Sequence, residues 1–216
     1  MKRRRLVAFG CSYTHGYTLP DCPTPDSAPS IVAWPKRLAK LLGRKSRNMG
    51  IAGASNKEIL YAIQCCDFLH DDIVVILWTY AHRDCVILDD KIKNTSFGVW
   101  TRPRTLQGLP ETSKPKDKWY HLKRALSDYD GYHQMWTSMN YAKYHLDSLG
   151  VKNYHFTIKM RYVENPPKWN NVNVIDMCFS TVVDPFPRAT DDKHPGQIAH
   201  EVLARTMKVK INAHNQ

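Results

Sequence analysis

Two short segments at opposite ends of the sequence carry the residue types of a serine nucleophile and its base. Ser12 follows an apolar run that stops at Gly10, and His194 stands three residues after Asp191. A serine hydroxyl becomes a useful nucleophile when a histidine takes its proton and an acid orients that histidine. Because only two residues separate Asp191 from His194, the carboxylate can reach the ring Nδ1–H and leave Nε2 for the serine. The two segments together predict the site of a serine hydrolase.

Each segment taken alone has a simpler interpretation. A serine after a strand often caps a short helix, which would leave Ser12 without chemistry. Asp191 and Asp192 precede a helical pattern, where acidic side chains favour the helix N-terminus. Strands and helices alternate between the two segments, and that pattern brings distant loops to one edge of a sheet. We therefore interpret the two segments as parts of one site.

The alternating pattern predicts an α/β fold with a parallel sheet and helices on both faces. The run 73–78 is continuously apolar, as in a central strand that is buried on both sides. Ser55 and Glu58 form a capping box at the start of a helix. Predicted strands cover 5–9, 46–49, 73–78, 153–158 and 172–175, and predicted helices cover 31–42, 56–69, 119–149 and 196–209.

The domain organisation predicted from the sequence is simple. A chain of 216 residues with 43% hydrophobic content suits one domain with a substantial core, so we expect a single domain over 1–216. The stretch 81–118 lacks clear periodicity and contains Pro103, Pro110 and Pro115. We interpret it as an irregular insertion near the mouth of the site.

The sequence carries a formal net charge of +11, from 31 Lys and Arg against 20 Asp and Glu. Such a charge attracts polyanions, including nucleic acids, anionic glycans and membrane surfaces. The basic residues are dispersed except in 2–5 and 102–124, so a surface that is merely basic is the simpler interpretation. We therefore do not expect specific nucleic-acid binding, although the charge does not exclude it.

Several classes of protein and site lack support in the sequence. No apolar stretch approaches the roughly 18 residues that a membrane helix needs. The basic start is followed by only about four apolar residues, too few for a signal peptide, so we expect a cytoplasmic protein. The six cysteines show no zinc-binding spacing and suit free thiols, and the ten histidines form no metal-binding motif. We predict neither a metal nor a cofactor.

The motifs along the chain resemble those of the SGNH, or GDSL-like, hydrolases. The resemblance covers most of the sequence in order and is weakest across 81–150. The segment 78–83 is also similar to a W-T-x-x-x-R stretch of the compact members in bacteriophage genomes, which would place the protein in a host cytoplasm or a virion. The matching segments are Gly10-Cys11-Ser12-Tyr13-Thr14, Trp34-Pro35, Asn48 through Gly53, and Asp191-x-x-His194-Pro195.

This resemblance implies a fold, a site and an activity. The fold would be a flavodoxin-like three-layer α/β/α sandwich with a five-stranded parallel sheet in the order 2-1-3-4-5. The catalytic residues would be Ser12, His194 and Asp191, with the backbone N–H groups of Ser12 and Gly53 in the oxyanion hole. The substrate would be an ester, for example an O-acetyl group on a glycan, and no cofactor would be needed.

The sequence departs from the family pattern at two positions. Cys11 replaces the aspartate of the first motif, and a thiol is a weak hydrogen-bond partner. The third motif has no asparagine to donate into the oxyanion hole, and loss of such a donor typically costs about 10²–10³ in rate. Thr79, His82 or Asn56 could substitute. A binding or structural protein on the same fold, such as a viral particle component or an accessory protein, is therefore the alternative hypothesis.

Two further residues have open assignments. His15 is close to Ser12 in the sequence, so it either lines the substrate pocket or is a loop histidine without a role. Arg83 follows the third strand and either binds an anionic group of the substrate or pairs with an acid at the surface. A third hypothesis, a nucleic-acid-associated protein, predicts binding that weakens steeply with salt.

Overall fold

A parallel four-stranded sheet forms the centre of the protein, in a computed structural model that describes residues 4–81, 83–88, 91–97, 128–158, 164–177 and 179–216. The strand order is β2-β1-β3-β6, and every neighbouring pair is parallel. This confirms the predicted α/β class and the order of the first four sheet positions. The strands are β1 (Arg5–Gly10), β2 (Lys45–Asn48), β3 (Ile73–Trp78) and β6 (Lys152–Thr157).

Side chains of the central strands alternate between two apolar clusters, one on each face of the sheet. Leu6 and Ala8 of β1 belong to one cluster, and Val7 and Phe9 belong to the other. The first face is covered by α2 (Trp34–Leu41) and α6 (Gln197–His214), and the second by α3 (Asn56–Gln64) and α4 (Asp128–Ser148). The protein therefore has three layers, as predicted.

The prediction of a fifth strand over 172–175 is wrong. The segment 172–175 contributes one parallel bridge, between Val174 and His155, and the N–H of Ile175 donates to the His155 carbonyl at 2.8 Å. Asn170 instead bonds to both the N–H and the C=O of Val172. Because such local side-chain bonds compete with ladder pairing, the segment occupies the fifth position of the sheet without extending into a strand.

The predicted irregular insertion also contains regular structure. Residues Asp84–Leu88 form β4 and Lys91–Phe97 form β5, and these two strands pair antiparallel as a separate sheet. The region 98–127, which holds the rest of the predicted insertion and the start of the predicted helix 119–149, lies outside the described residues.

Two short helices escaped the sequence prediction, and both flank the carboxyl edge of the sheet. They are α1 (Ser12–His15) and α5 (Phe179–Val183). The predicted capping box at Ser55 and Glu58 is confirmed, with both of its hydrogen bonds present. In the described ranges, no helix combines the length and the apolar character required to span a bilayer.

Candidate active site

Ser12 lies at the first turn of α1, directly after β1 ends. Cys11 provides the N-cap position, and its side chain is fully buried in the apolar cluster beneath α3 and α4. Ser12 is 4% exposed. The adjacent Cys11 thiol is therefore part of the core, and the serine is the residue of this pair at the site.

The segment after β2 holds α1 in place. The Asn48 side chain donates from Nδ2 to the Thr14 carbonyl at 2.8 Å and accepts the N–H of Gly50 at 2.9 Å. The N–H of Ile51 donates to the Gly10 carbonyl at 3.0 Å. A Cβ at position 50 would lie 2.3 Å from the backbone nitrogen of His15, so only glycine permits this close approach.

The structure brings His194 and Asp191 to Ser12 from the other end of the chain. His194 Nε2 lies 2.9 Å from Ser12 Oγ, and His194 Nδ1 lies 2.5 Å from Asp191 Oδ2. With the carboxylate ionised, the ring proton resides on Nδ1, and Nε2 is the acceptor for the serine hydroxyl. The three side chains form one continuous line of hydrogen bonds.

The Asp191 carboxylate is held by its own loop. Partial burial pushes the pKa of Asp191 upward, but hydrogen bonds from the His194 backbone, the His194 ring and the Lys193 backbone outweigh it and bring the pKa to about 2. The Thr18 hydroxyl lies 3.3 Å from Oδ1 of the same carboxylate. Asp191 therefore stays ionised through the physiological range.

Two tyrosines that sequence reasoning missed enclose the imidazole. The rings of Tyr13 and Tyr17 meet the His194 ring edge-on, with centroid distances of 5.4 and 5.2 Å. Tyr13 also stacks on Phe179 of α5 at 5.2 Å. The available signal in the sequence was that Tyr13 is adjacent to Ser12 and that Tyr17 follows five positions after the serine. The contacts with His194 depend on how the loop before α6 docks.

The backbone N–H groups of Ser12 and Gly53 are the predicted donors of the oxyanion hole. Among the described residues, we find no hydrogen-bond acceptor for the N–H of Ser12 or of Gly53. Gly53 has a φ of +82°, a conformation that glycine adopts without steric cost. Unpaired N–H groups at a helix N-terminus and in a turn are the usual donors of an oxyanion hole.

The candidate side-chain donors have contacts elsewhere. Asn56 accepts the N–H of Thr79 at 2.9 Å through Oδ1, and its Nδ2 lies 3.4 Å from the carbonyls of both Thr79 and Tyr80. The fully buried Thr79 accepts a bond from Arg83 at 3.1 Å. These contacts fasten the loop after β3 to the start of α3. The third candidate, His82, lies outside the described residues.

Tyr80 stands in the part of the loop where the family motif places its asparagine. Its hydroxyl lies 3.4 Å from the hydroxyl of Tyr13. Burial, followed by the proximity of Tyr80, raises the pKa of Tyr13 well above its ordinary value, so the Tyr13 hydroxyl keeps its proton. The Tyr13 phenol is therefore neutral beside the His194 ring.

His15 and Arg83 are both engaged by neighbouring groups. The ring nitrogens of His15 contact the Ser27 carbonyl at 3.1 Å and the Cys22 sulfur at 3.3 Å, and the residue is 4% exposed. Burial lowers the pKa of His15. The Arg83 guanidinium donates to Thr79 and Ala54 and lies 5.0 Å from the centre of the Tyr80 ring. His15 thus has neither ring nitrogen left for a substrate.

The described residues contain no group of three His, Cys, Asp or Glu side chains arranged to hold a metal ion. Within the same part of the chain, Cys11, Cys22, Cys65 and Cys66 are free thiols.

Comparison with known proteins finds a likeness in solved structures. No protein-family model matches the sequence, and no curated protein matches it. The structure superposes on a protein assigned to the lipolytic G-D-S-L family from Desulfitobacterium hafniense DCB-2, with a TM-score of 0.54, 13% identity, and coverage of 95% of this chain and 98% of that chain. It also superposes on the lipase Lip_vut3 from a goat rumen metagenome, with a TM-score of 0.50, 12% identity, and coverage of 95% and 96%.

These superpositions define the fold. Both neighbours are matched over nearly their whole length, so the likeness extends beyond a shared sheet to the complete architecture. The chain has the fold of the SGNH/GDSL-like hydrolases, with a sheet of four strands instead of the five that we predicted.

Proposed function

We propose that this protein is a serine hydrolase that cleaves esters. The observation that carries the proposal is the line of hydrogen bonds from Asp191 through His194 to Ser12, with contacts of 2.5 and 2.9 Å. In this arrangement the histidine is poised to remove the serine proton, and the carboxylate stabilises the imidazolium that results. The fold shared with lipolytic G-D-S-L proteins supports the same chemistry.

The proposed reaction proceeds in two halves. Ser12 Oγ attacks the acyl carbon while His194 Nε2 accepts the hydroxyl proton, and the N–H groups of Ser12 and Gly53 stabilise the negative charge on the carbonyl oxygen. The alcohol then leaves with the proton from His194, and the acyl group remains on Ser12. A water molecule, deprotonated by His194, attacks the acyl-enzyme and releases the carboxylic acid together with free Ser12.

The substrate class that we favour is an acyl ester on a glycan, such as an O-acetyl group. The net charge of +11 supports it, because a basic protein concentrates anionic carbohydrate polymers around itself.

The test is to replace the nucleophile and its neighbour separately. We expect Ser12→Ala to lower hydrolysis of p-nitrophenyl acetate by about 10⁴-fold or more and to abolish labelling by a fluorophosphonate probe. Cys11→Ala should retain both, because its thiol is in the core and outside the line of hydrogen bonds. Thermal unfolding of both variants establishes that they are folded. Equal hydrolysis by wild type and Ser12→Ala would refute the proposal.

One observation favours the alternative function, a binding or structural protein on this fold. The contacts of Asn56 and Thr79 join the start of α3 to the loop after β3, so among the described residues neither of these side chains is seen to accompany the two backbone N–H groups. The probe separates the two functions directly. Labelling of Ser12 requires an activated hydroxyl, whereas a binding protein with an inactive site remains unlabelled.

A further inference from the structure

The two outer helix layers of the sandwich carry very different charges. The layer of α2 and α6, with Arg44 just beyond α2, contains seven basic residues and a single acid, Glu201. The opposite layer of α3 and α4 contains two lysines and four acids. The positive charge of these helices is therefore concentrated on one face. The seven basic residues are Lys36, Arg37, Lys40, Arg44, Arg205, Lys208 and Lys210.

A shallow groove runs along the outer side of α2 on this basic face. It has a volume of about 440 Å³, and its lining consists of Ile31, Val32, Lys36, Arg37, Lys40 and Arg44. Four of the six lining residues are cationic, and the other two are aliphatic. Successive cations along an α-helix are separated by roughly 4.5–6 Å of axial rise when they stand three or four residues apart. The groove therefore presents a row of positive charges to solvent.

Most of this charge is not neutralised by acids. Arg37 pairs with Glu201 at 3.0 Å, and Glu201 also accepts a bond from Arg205. Lys36 and Lys40 are exposed and make no ion pair with any described residue. Burial, and after it repulsion from Arg4, lowers the pKa of Arg44, although Asp71 and Asp72 act in the opposite direction. The groove thus has unused capacity for anionic groups.

The aliphatic end of the groove lies beside the helix that carries Ser12. The N–H of Ser30 donates to the carbonyl of His15, the last residue of α1, at 2.8 Å. Ile31 follows directly and is 69% exposed. The carboxylate of Asp21 is the acid at this end, and it accepts bonds from the Ser30 hydroxyl and the Ile31 N–H. The Ile31 end of the groove is therefore joined through Ser30 to α1, the helix that carries Ser12.

We propose that the groove along α2 binds the carboxylates of an acidic polysaccharide whose ester-linked acyl groups are hydrolysed at Ser12. This inference rests on the proposed esterase function and assigns its substrate class. Lys36 and Lys40 would pair with uronate carboxylates, whereas Arg44 already donates to the carbonyls of Asp71 and Arg5. The aliphatic side chains of Ile31 and Val32 would pack against the sugar rings. None of the six lining residues is aromatic, so the groove offers no stacking surface for nucleic-acid bases.

The binding test uses the Ser12→Ala protein, so that no turnover intervenes. Polygalacturonate is the anionic probe, and dextran is the neutral comparison. We expect polygalacturonate binding that weakens with salt, no dextran binding, and a loss of about tenfold in affinity when Lys36→Gln and Lys40→Gln are added. The control adds Lys57→Gln and Lys168→Gln, two exposed lysines outside the groove, and should change affinity by less than about twofold.

The activity test uses the wild-type background and O-acetylated polygalacturonate. The Lys36→Gln/Lys40→Gln variant should raise KM for this polymer and leave kcat unchanged, with no effect on hydrolysis of p-nitrophenyl acetate. Retained cleavage of the small ester with unchanged polymer kinetics would overturn the groove assignment while sparing the esterase function.

Three other outcomes would overturn the inference. An equal loss of affinity in the two lysine pairs would mean that only net charge matters. Tight binding of single-stranded DNA without binding of polygalacturonate would identify a nucleic-acid surface instead. Groove-dependent binding of the polymer by a protein that hydrolyses neither ester would refute the esterase function and, with it, the substrate assignment.

Discussion

Asp191 organises the candidate site more than any other single residue. Its Oδ1 accepts the backbone N–H groups of Lys193 and His194, and its Oδ2 contacts the His194 ring at 2.5 Å. The backbone bonds fix the position of the carboxylate, and the carboxylate then fixes the tautomer and direction of the imidazole. The proposed reactivity of Ser12 would consequently depend on Asp191, a residue that does not touch it.

Asp191→Asn tests this dependence while nearly preserving the shape of the side chain. The amide cannot act as a charged acceptor for Nδ1–H, so the imidazole loses its preferred tautomer and the stabilisation of its protonated form. We expect kcat for p-nitrophenyl acetate to fall by about 10³–10⁴-fold, with thermal unfolding little changed.

Asp192→Asn is the matched control for this substitution. Asp192 is the adjacent acid, it is exposed, and its φ of +55° suits asparagine as well as aspartate. The kcat of the Asp192→Asn variant should stay within about twofold of wild type. A similar loss in both variants would mean that general acidity near the loop, and not the Asp191–His194 contact, supports activity.

At the residue level, the sequence was most informative where chemistry is local. The spacing of Asp191 and His194 predicted their contact because two residues can close that turn. Thr18 could not be predicted beside Asp191, since the contact joins residues 173 positions apart in the chain. The contacts of Asn56 with the loop after β3 could not be predicted either, because a residue at the N-terminus of a helix has several possible partners.

At the level of elements, the short helix α1 depends on the chain that crosses it. Asn48 and the N–H of Ile51 fasten the segment after β2 to β1 and α1, and Gly50 allows the backbones to meet. This packing sets the position of the serine relative to Gly53, three residues further along the same segment. The geometry of both backbone donors is therefore a property of one tightly packed crossing.

Gly50→Ala tests the importance of this crossing. The added methyl group would lie 2.3 Å from a backbone nitrogen, so α1 must shift. We expect the free energy of unfolding to fall by about 1–3 kcal/mol, measured by urea denaturation, together with a clear loss of esterase activity from displacement of Ser12.

Gly43→Ala provides the comparison for backbone strain alone. Gly43 has a φ of +64°, and no atom lies within 4 Å of the added methyl position. Gly43→Ala should lower the free energy of unfolding by about 1 kcal/mol, because alanine is strained in a left-handed conformation. It should leave activity unchanged. Full activity in the folded Gly50→Ala protein would contradict the proposed role of the crossing.

Elements with strong periodicity were predicted well, and those with mixed signals were not. The apolar run 73–78 gave β3 with both of its ends, because burial on both faces leaves a continuous signal. The segment 172–175 has valines and an isoleucine, yet the asparagines around it bond locally and prevent strand pairing. The pair β4 and β5 was missed because its residues, such as Lys91 and Lys93, lack the apolar alternation of a strand packed on a core.

At the scale of the whole molecule, two buried histidines link stability to pH. His155 accepts the indole N–H of Trp78 at 3.0 Å, and His200 accepts the backbone N–H of Trp34 at 3.2 Å. Burial lowers the pKa of each ring to about 3. Both rings are therefore neutral in the folded protein and would have to lose an accepted hydrogen bond in order to take up a proton.

The consequence is a loss of stability in acid. In the unfolded chain a histidine has a pKa of about 6.5, so below that pH the unfolded state gains protons that the folded state does not bind. Stability is fully present above pH 6.5 and falls between about pH 6.5 and 3, with a slope approaching about 1.4 kcal/mol per pH unit for each ring. Urea denaturation at several pH values measures this slope.

His155→Gln isolates the contribution of one ring. The variant should have a lower free energy of unfolding at pH 7, and this free energy should decline less steeply in acid. The difference in slope should approach the contribution of one histidine, about 1.4 kcal/mol per pH unit. The control is His70→Gln, which removes an exposed histidine. Parallel pH profiles for wild type and His155→Gln would contradict the assignment of a neutral buried ring.

The nucleophile and its base lie 182 positions apart in the chain, on α1 and on the loop that leads into α6. During synthesis the ribosome makes Ser12 182 residues before His194. A nascent chain therefore carries the hydroxyl long before the imidazole that would take its proton. The proposed activity begins only when α6 and the loop before it have emerged and docked, so we expect a translation product that stops before His194 to be catalytically silent.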